Sequence, residues 1–272
     1  MARAGRSLWL IADDYGLSPQ VSAAIRELIA AGRLSGTGCM TLFEDWQEQA
    51  NRLADLGASA SIGLHLTLTD FPALTTGVRM PGLKRLIADC ARGESRSIAA
   101  EADAQMERFR SVFGRDPAFI DGHQHVHFLR PVRHWLCGRF AGLPRQMRPW
   151  LRGAPTLRAA PAGLTAKVAF ARLLARGFDI EMRRSGFCVR GPLGGFYDWR
   201  KQGTFETALP FFLKKMPENG VVMCHPGRVD ALLRQRDVFT DAREEELALL
   251  SSEDFPTFLA RNAISLATEQ GE

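Results

Sequence analysis

The chain has 272 residues, 46% of them hydrophobic and 24% charged, which supplies a core and excludes an intrinsically disordered protein. Its five cysteines (Cys39, Cys90, Cys137, Cys188 and Cys224) are odd in number and form no C-x-x-C pair, so reduced thiols in a cytoplasmic protein are expected rather than a disulfide framework. No apolar run approaches a transmembrane span, and Leu8 to Ala12 is too short for a signal-peptide core.

The net charge of +5 is unevenly placed. Between Phe128 and Arg190 thirteen Arg or Lys face only Asp179 and Glu181, whereas from Thr240 onward eight acids face Arg243 and Arg261. Such a basic stretch suits either an anionic partner or solvated helix faces. No RNA-binding or helix-turn-helix signature accompanies it, so nucleic acid is not an expected partner.

Leu8 to Ala12 reads as a short buried strand. Ser18-Pro19 then supplies an N-cap and first helical residue, with Val21, Ala24, Ile25, Leu28 and Ile29 at helical spacing before Gly32. Strands are predicted at Gly38 to Phe43 and Ser61 to Thr67, separated by a helix that Asp45 caps and that ends near Gly57. Thr67 to Gly82 is punctuated like a long loop. Ile98, Ala102, Met106, Phe109 and Val112 mark a helix stopping at Gly114, after which Ala118 to His127 reads as a strand and Pro131 opens another helix. Weaker strands fall at Met147 to Trp150, Gly186 to Val189, Val221 to His225 and Ile264 to Ala267, with helices at Ala162 to Arg176, Thr204 to Lys215 and Asp241 to Leu250.

This alternation predicts a mostly parallel sheet covered by helices: an α/β fold, an irregular (β/α) TIM-like barrel forming one domain over residues 1–272. Ala141 to Pro161 reads as an insertion over the site. In the helix Ala162 to Arg176, Leu164, Val168, Ala171 and Leu174 share one side, with Lys167, Arg172 and Arg176 elsewhere. That pattern fits a core-facing helix with a solvated back, or one lying on a membrane surface.

Polar groups gather at the predicted strand ends, where barrel enzymes place their chemistry: Asp13-Asp14, His65, the run Asp121 to His127, and His225. Adjacent buried carboxylates raise one another's pKa, a conflict that a cation removes, although either one is also a plausible helix cap. Residues 121, 123, 125 and 127 share one side of a regular strand and make poor core. Imidazole and carboxylate together suit Zn²⁺, Co²⁺, Mn²⁺ or Fe²⁺.

These residues carry a resemblance to the YdjC-like carbohydrate deacetylases, which include chitooligosaccharide and hopanoid-associated deacetylases. It rests on four blocks: residues 11–18 (Ile-Ala-Asp-Asp-Tyr-Gly-Leu-Ser), residues 63–69 (Gly-Leu-His-Leu-Thr-Leu-Thr), residues 121–127 (Asp-Gly-His-Gln-His-Val-His) and residues 223–226 (Met-Cys-His-Pro). Ile11, Tyr15 and Gly122 depart from the family's usual Asn, Phe and Ser without removing a functional group, and Ala141 to Gln202 carries no part of the resemblance. The resemblance implies a (β/α) barrel with one divalent ion (Zn, Mg, Co or Mn) on Asp14, His65 and His123. It also implies Asp13 as base and His225 as acid, with Arg148 a candidate for orienting substrate. His125 and His127 are further substrate-binding candidates, and either replaces His123 as ligand if the strand is kinked.

The implied reaction is removal of an acetyl group from an N-acetylated sugar or glycolipid. Peripheral membrane contact is compatible with the sequence, and the oligomeric state, a homodimer being one alternative, is left open. Two other classes compete. A non-haem metal oxygenase uses a similar ligand set but usually sits on an all-β scaffold, and a non-catalytic sugar- or anion-binding protein needs no base beside its ligand.

Overall fold

A computed structural model describes residues 5–161 and 163–269; the predicted start of a helix at Ala162 lies outside the described residues. The chain opens with β1 (Arg6–Tyr15), which is followed by α1 (Pro19–Ala30). Ser18 caps α1, its Oγ accepting from Val21 N at 3.3 Å, and Pro19 has no N–H left unbonded in the first turn. Next come β2 (Gly36–Cys39), α2 (Trp46–Ala54) and β3 (Ser61–Leu66). Asp45 precedes α2 but makes no side-chain cap, because its backbone (φ −79°, ψ 3°) lacks the extended geometry that a cap uses.

The predicted loop from Thr67 leads into α3 (Leu83–Ala91), which the sequence reading missed, and then α4 (Arg96–Phe113). Ile98, Ala102, Met106 and Phe109 of α4 are buried as their spacing predicts, and Gly114 closes the helix at φ 63°. The following strand is shorter than expected. β4 (Phe119–Gly122) stops where a 3-10 segment, His123–Phe128, begins, with Gln124 and His125 both left-handed (φ 51° and 63°). The expectation that residues 121 to 127 share one strand face is therefore corrected.

After α5 (Arg130–Arg139), β5 (Trp150–Arg152) falls within the stretch expected to be an insertion, yet it pairs with β4 and β6 and belongs to the sheet. The remaining elements are α6 (Thr165–Leu174), α7 (Phe178–Arg184), β6 (Val189–Arg190), β7 (Leu193–Gly194), α8 (Thr204–Lys215), β8 (Val221–Cys224), α9 (Ala231–Arg236), α10 (Asp241–Ser251), α11 (Asp254–Arg261) and β9 (Ile264–Leu266). At six to eight residues, α7, α9 and α11 are too short for a clear helical period.

The strand order is β6-β5-β4-β3-β2-β1-β8-β7, with β9 added on β1, and every strand pairing among the described residues is parallel. The sheet curls on itself: Leu193 of β7 donates to Ala154 O (3.0 Å) and accepts from Thr156 N (3.1 Å), just beyond β5. The result is an irregular (β/α) barrel. Side-chain alternation divides its core in two. Leu8, Leu10 and Ala12 pack outward under the helices, while Trp9, Ile11, Phe119, Trp150, Leu193 and Val221 form the interior. Trp150 packs on Trp9 and Phe119 with ring centroids 5.3 and 4.5 Å apart. No described helix is long and apolar enough to cross a membrane.

Candidate active site

The same alternation that fills the interior aims the polar groups above it. Two residues beyond interior-facing Ile11, Phe119, Trp150 and Met223 stand Asp13, Asp121, Arg152 and His225; His65 likewise follows Gly63, whose Cβ would strike the Phe119 ring at 2.5 Å. All sit at the C-terminal ends of parallel strands, the end from which barrel enzymes work. The interior is sealed below them by packed aromatics, so the open space lies above the strand ends.

Asp13 and Asp14 would face opposite ways on a regular strand. The register of β1 against β2 slips between Ala12 and Tyr15, where three steps on β1 match two on β2, and Asp14 takes up the extra residue at φ 67°. This bulge turns both carboxylates to one place. Beside them Gly38 leaves room for the His65–Asp121 pair: a Cβ there would stand 3.1 Å from His65 Nδ1 and 3.2 Å from Asp121 Oδ1.

Asp14 Oδ1 lies 3.4 Å from His65 Nε2 and 3.2 Å from His123 Nδ1, and the three donor atoms fall within 4.8 Å of one another. Ligand bonds of about 2.0–2.2 Å in a tetrahedral set place donors roughly 3.4 Å apart, so the spacing fits a divalent cation. The supporting contacts fit as well. Asp121 Oδ1 holds His65 Nδ1 at 2.7 Å, which points Nε2 at Asp14, and Arg243 Nη2 holds Asp14 Oδ2 at 2.6 Å. Asp13, His65 and Asp121 form a second close cluster, but it already has its cation. Arg152 donates to Asp13 through both terminal nitrogens, at 2.7 and 2.5 Å, and also pairs with Asp121 Oδ2.

Burial and partners set the protonation states. Burial pushes the Asp13 carboxyl up and outweighs the pull of Arg152. At Asp14, burial is overcome by Arg243 and the two histidines, which hold the carboxyl well below its ordinary range. Asp121 overcomes burial through Arg152 and His65 and falls to about 2. Burial would lower His65, yet Asp121 and Asp13 raise it to about 10, the mark of a place that attracts positive charge. Burial also takes His225 well below its ordinary value, so its resting imidazole is neutral.

His225 closes the other side. Its Nε2 lies 3.7 Å from Asp13 Oδ2, its ring meets Trp199 at 4.2 Å, and its backbone N–H donates to Glu246 Oε2. Glu246 Oε1 bonds Tyr197 Oη at 2.5 Å, and burial raises the Glu246 carboxyl to about 8. A carboxyl raised on folding stabilises fully below its ordinary value of 4.5, and that contribution is lost as pH rises through about 8. Glu246→Gln keeps both hydrogen-bonding positions and cannot ionise. Its melting temperature relative to wild type is expected to climb between about pH 5 and pH 9. A difference that stays flat across this range would show that Glu246 is not protonated in the fold.

These groups open into a cleft of about 840 Å³, whose wall includes Phe71, Phe196, Trp199 and Phe239. His125 lies on that wall, packed 5.2 Å from Phe196 and apart from the Asp14–His65–His123 cluster. His127 is in the core instead, its Nε2 3.2 Å from Arg152 O and its pKa lowered by burial to about 3. Arg148 also departs from expectation. It donates to the carbonyls of Leu143 and Ser185 and lies over Phe187, while the cation at the site is Arg152, four residues on. Sequence reasoning missed Arg152, Arg243, Tyr197 and Glu246. Only Arg152 carried a signal, as the second residue after an interior aromatic on a strand.

The profile of the YdjC-like protein family matches residues 7–261. A protein named chitooligosaccharide deacetylase from Citrobacter koseri is 27% identical over 274 residues, covering 97% of this chain and 98% of that one. One of the same name from Yersinia pestis is 27% identical, with 94% and 95% covered. A crystal structure from Enterococcus faecalis, named as a candidate cellobiose-phosphate cleavage protein, shares the fold with a TM-score of 0.69 at 20% identity, over 98% of this chain and 99% of that one. With its strand-end blocks gathered at one cleft and the profile matched over nearly the whole chain, the protein belongs to the YdjC-like protein family.

Proposed function

We propose that the protein is a metal-dependent hydrolase that removes the acetyl group from an N-acetylated amino sugar. One observation carries this most: the bulge in β1 brings Asp13 and Asp14 to one cleft in different company, Asp14 with two imidazoles and Asp13 with Arg152 and His225. The relatives named as chitooligosaccharide deacetylases support the substrate class.

Amide hydrolysis needs a nucleophile, a place for charge on oxygen and a proton for nitrogen. A divalent ion held by Asp14, His65 and His123 would supply Lewis acidity, which in favourable sites lowers the pKa of water to about 7 and polarises a carbonyl. Asp13 takes the proton from the attacking water. Burial raises its proton affinity, and Arg152 fixes both its oxygens so that it cannot turn away. His225 delivers a proton to the departing nitrogen. It is neutral at rest, so its proton comes from Asp13 across the 3.7 Å gap, which a small ring rotation closes. The C–N bond breaks, and acetate and the free amine leave.

Non-haem oxygenases usually occupy all-β scaffolds, unlike this parallel barrel. A pure sugar-binding protein would have no use for the Asp13–His225 pair beside a ligand cluster. Acetate release from a panel of N-acetylated mono-, oligo- and lipid-linked sugars, with chelator and with each of Zn²⁺, Co²⁺, Mn²⁺ and Mg²⁺, tests the proposal. Metal-dependent acetate release is expected from at least one sugar; its absence across the panel, or oxygen uptake in its place, overturns the proposal.

A further inference from the structure

Helix α6 is apolar on two sides, and the barrel covers only one. Val168 and Ala171 are buried, with Leu164 and Leu174 partly buried beside them. On the other side Ala166, Ala169, Phe170 and Leu173 recur at i, i+3, i+4 and i+7 in solvent, with Phe170 48% and Leu173 64% exposed. Ile180 of α7, 60% exposed, shares with Leu173 a groove of about 640 Å³ between the two helices. A helix that only packs on a core carries a polar back; this one presents a phenylalanine and a leucine.

Cations frame the stripe. Arg172, Arg176, Arg183 and Arg184 are all exposed, and the first three line the groove. Arg172 and Arg183 each set one nitrogen on a backbone carbonyl (Pro155 O at 3.0 Å, Val189 O at 3.1 Å), which holds the guanidinium in place and leaves its charge intact. Of the two acids of this basic stretch, Asp179 also lines the groove and accepts from Ala154 N, and Glu181 pairs with Arg133, each at 2.9 Å, so the arginines outnumber the acids there.

We propose that the α6–α7 face docks the protein on the surface of an anionic lipid bilayer. Phe170, Leu173 and Ile180 enter between the headgroups while the arginines meet lipid phosphates. A second copy fits this face poorly, because a two-fold contact would press the arginines against their own counterparts. A soluble anion would satisfy the arginines and leave the apolar residues in water. Lys167, Phe170 and Leu174 of the same helix line the catalytic cleft, so docking sets the cleft mouth at headgroup level.

The test is co-sedimentation of the full chain with vesicles of phosphatidylglycerol and phosphatidylcholine, against phosphatidylcholine alone, at low and high salt. Leu173→Asp/Ile180→Asp is run in parallel; both positions lie outside the cleft, and its melting temperature should match wild type. Wild type is expected to partition at least about tenfold better onto the anionic vesicles, less so at high salt, and the double variant to lose about that factor. Three outcomes overturn the proposal: no partition of wild type at low salt, equal partition of a folded double variant, or a wild-type dimer in light scattering that the double variant converts to monomer.

Discussion

Asp13→Asn is expected to keep its bound metal and lose turnover by at least the 10²- to 10⁴-fold that a general base typically contributes. Asparagine matches aspartate in shape but cannot take the water's proton. Asp13 lies outside the Asp14–His65–His123 cluster and is already neutralised by Arg152, so the change leaves the ion's donors untouched. Asp14→Asn should behave differently. It removes the one carboxylate among the three donors and sets an amide against Arg243, so metal affinity and rate fall together. His225→Ala should slow acetate release with little change in metal content, since its imidazole faces Asp13. Bound metal and initial rates on the three purified variants decide the matter. If Asp13→Asn loses its metal while Asp14→Asn keeps it and stays inactive, the two roles are exchanged; full activity in all three removes the deacetylase proposal.

How much of this site could be read from the chain depends on how local each signal is. Asp13, Asp14, His65 and His225 end apolar runs, and a strand's two-residue period places such groups at the C-terminal rim of the sheet. His123 stands in an equally polar run whose pattern predicts a strand through His127. Left-handed Gln124 and His125 break it after Gly122, leaving His125 on the cleft wall and His127 in the core. A left-handed turn at non-glycine residues leaves little trace in composition, because tertiary packing imposes it. Arg243 and Glu246 reach the site from α10, some 230 residues after Asp14, and read in sequence as charges on an acidic surface helix. In the fold both are buried, paired with Asp14 and with Tyr197. Such partners are legible only once the fold has brought the side chains of α10 to Asp14 and His225. Arg148, a candidate that the resemblance alone implies, lies before β5, whereas Arg152 ends that strand and reaches Asp13.

Arg152→Met is expected to be the most destabilising single change at the site. The guanidinium is fully buried and neutralises two buried carboxylates, Asp13 and Asp121. Methionine fills much of the volume but leaves both acids without their cation. Removing one partner of a buried ion pair costs about 3–5 kcal/mol, which for a chain of this size lowers the melting temperature by roughly 10 °C. Arg152→Lys keeps the charge on a single point in place of the two-pronged contact, so it should recover part of the stability and less of the rate. The acid limb of kcat/KM separates positioning from mere scaffolding. Without Arg152 the Asp13 carboxyl is driven further up, so the base is unprotonated only at higher pH and the limb moves in that direction. A double-variant cycle with Asp13→Asn completes the test. If Arg152 acts through Asp13, the double variant is scarcely slower than Asp13→Asn alone; if the two losses multiply, Arg152 contributes to catalysis by another route.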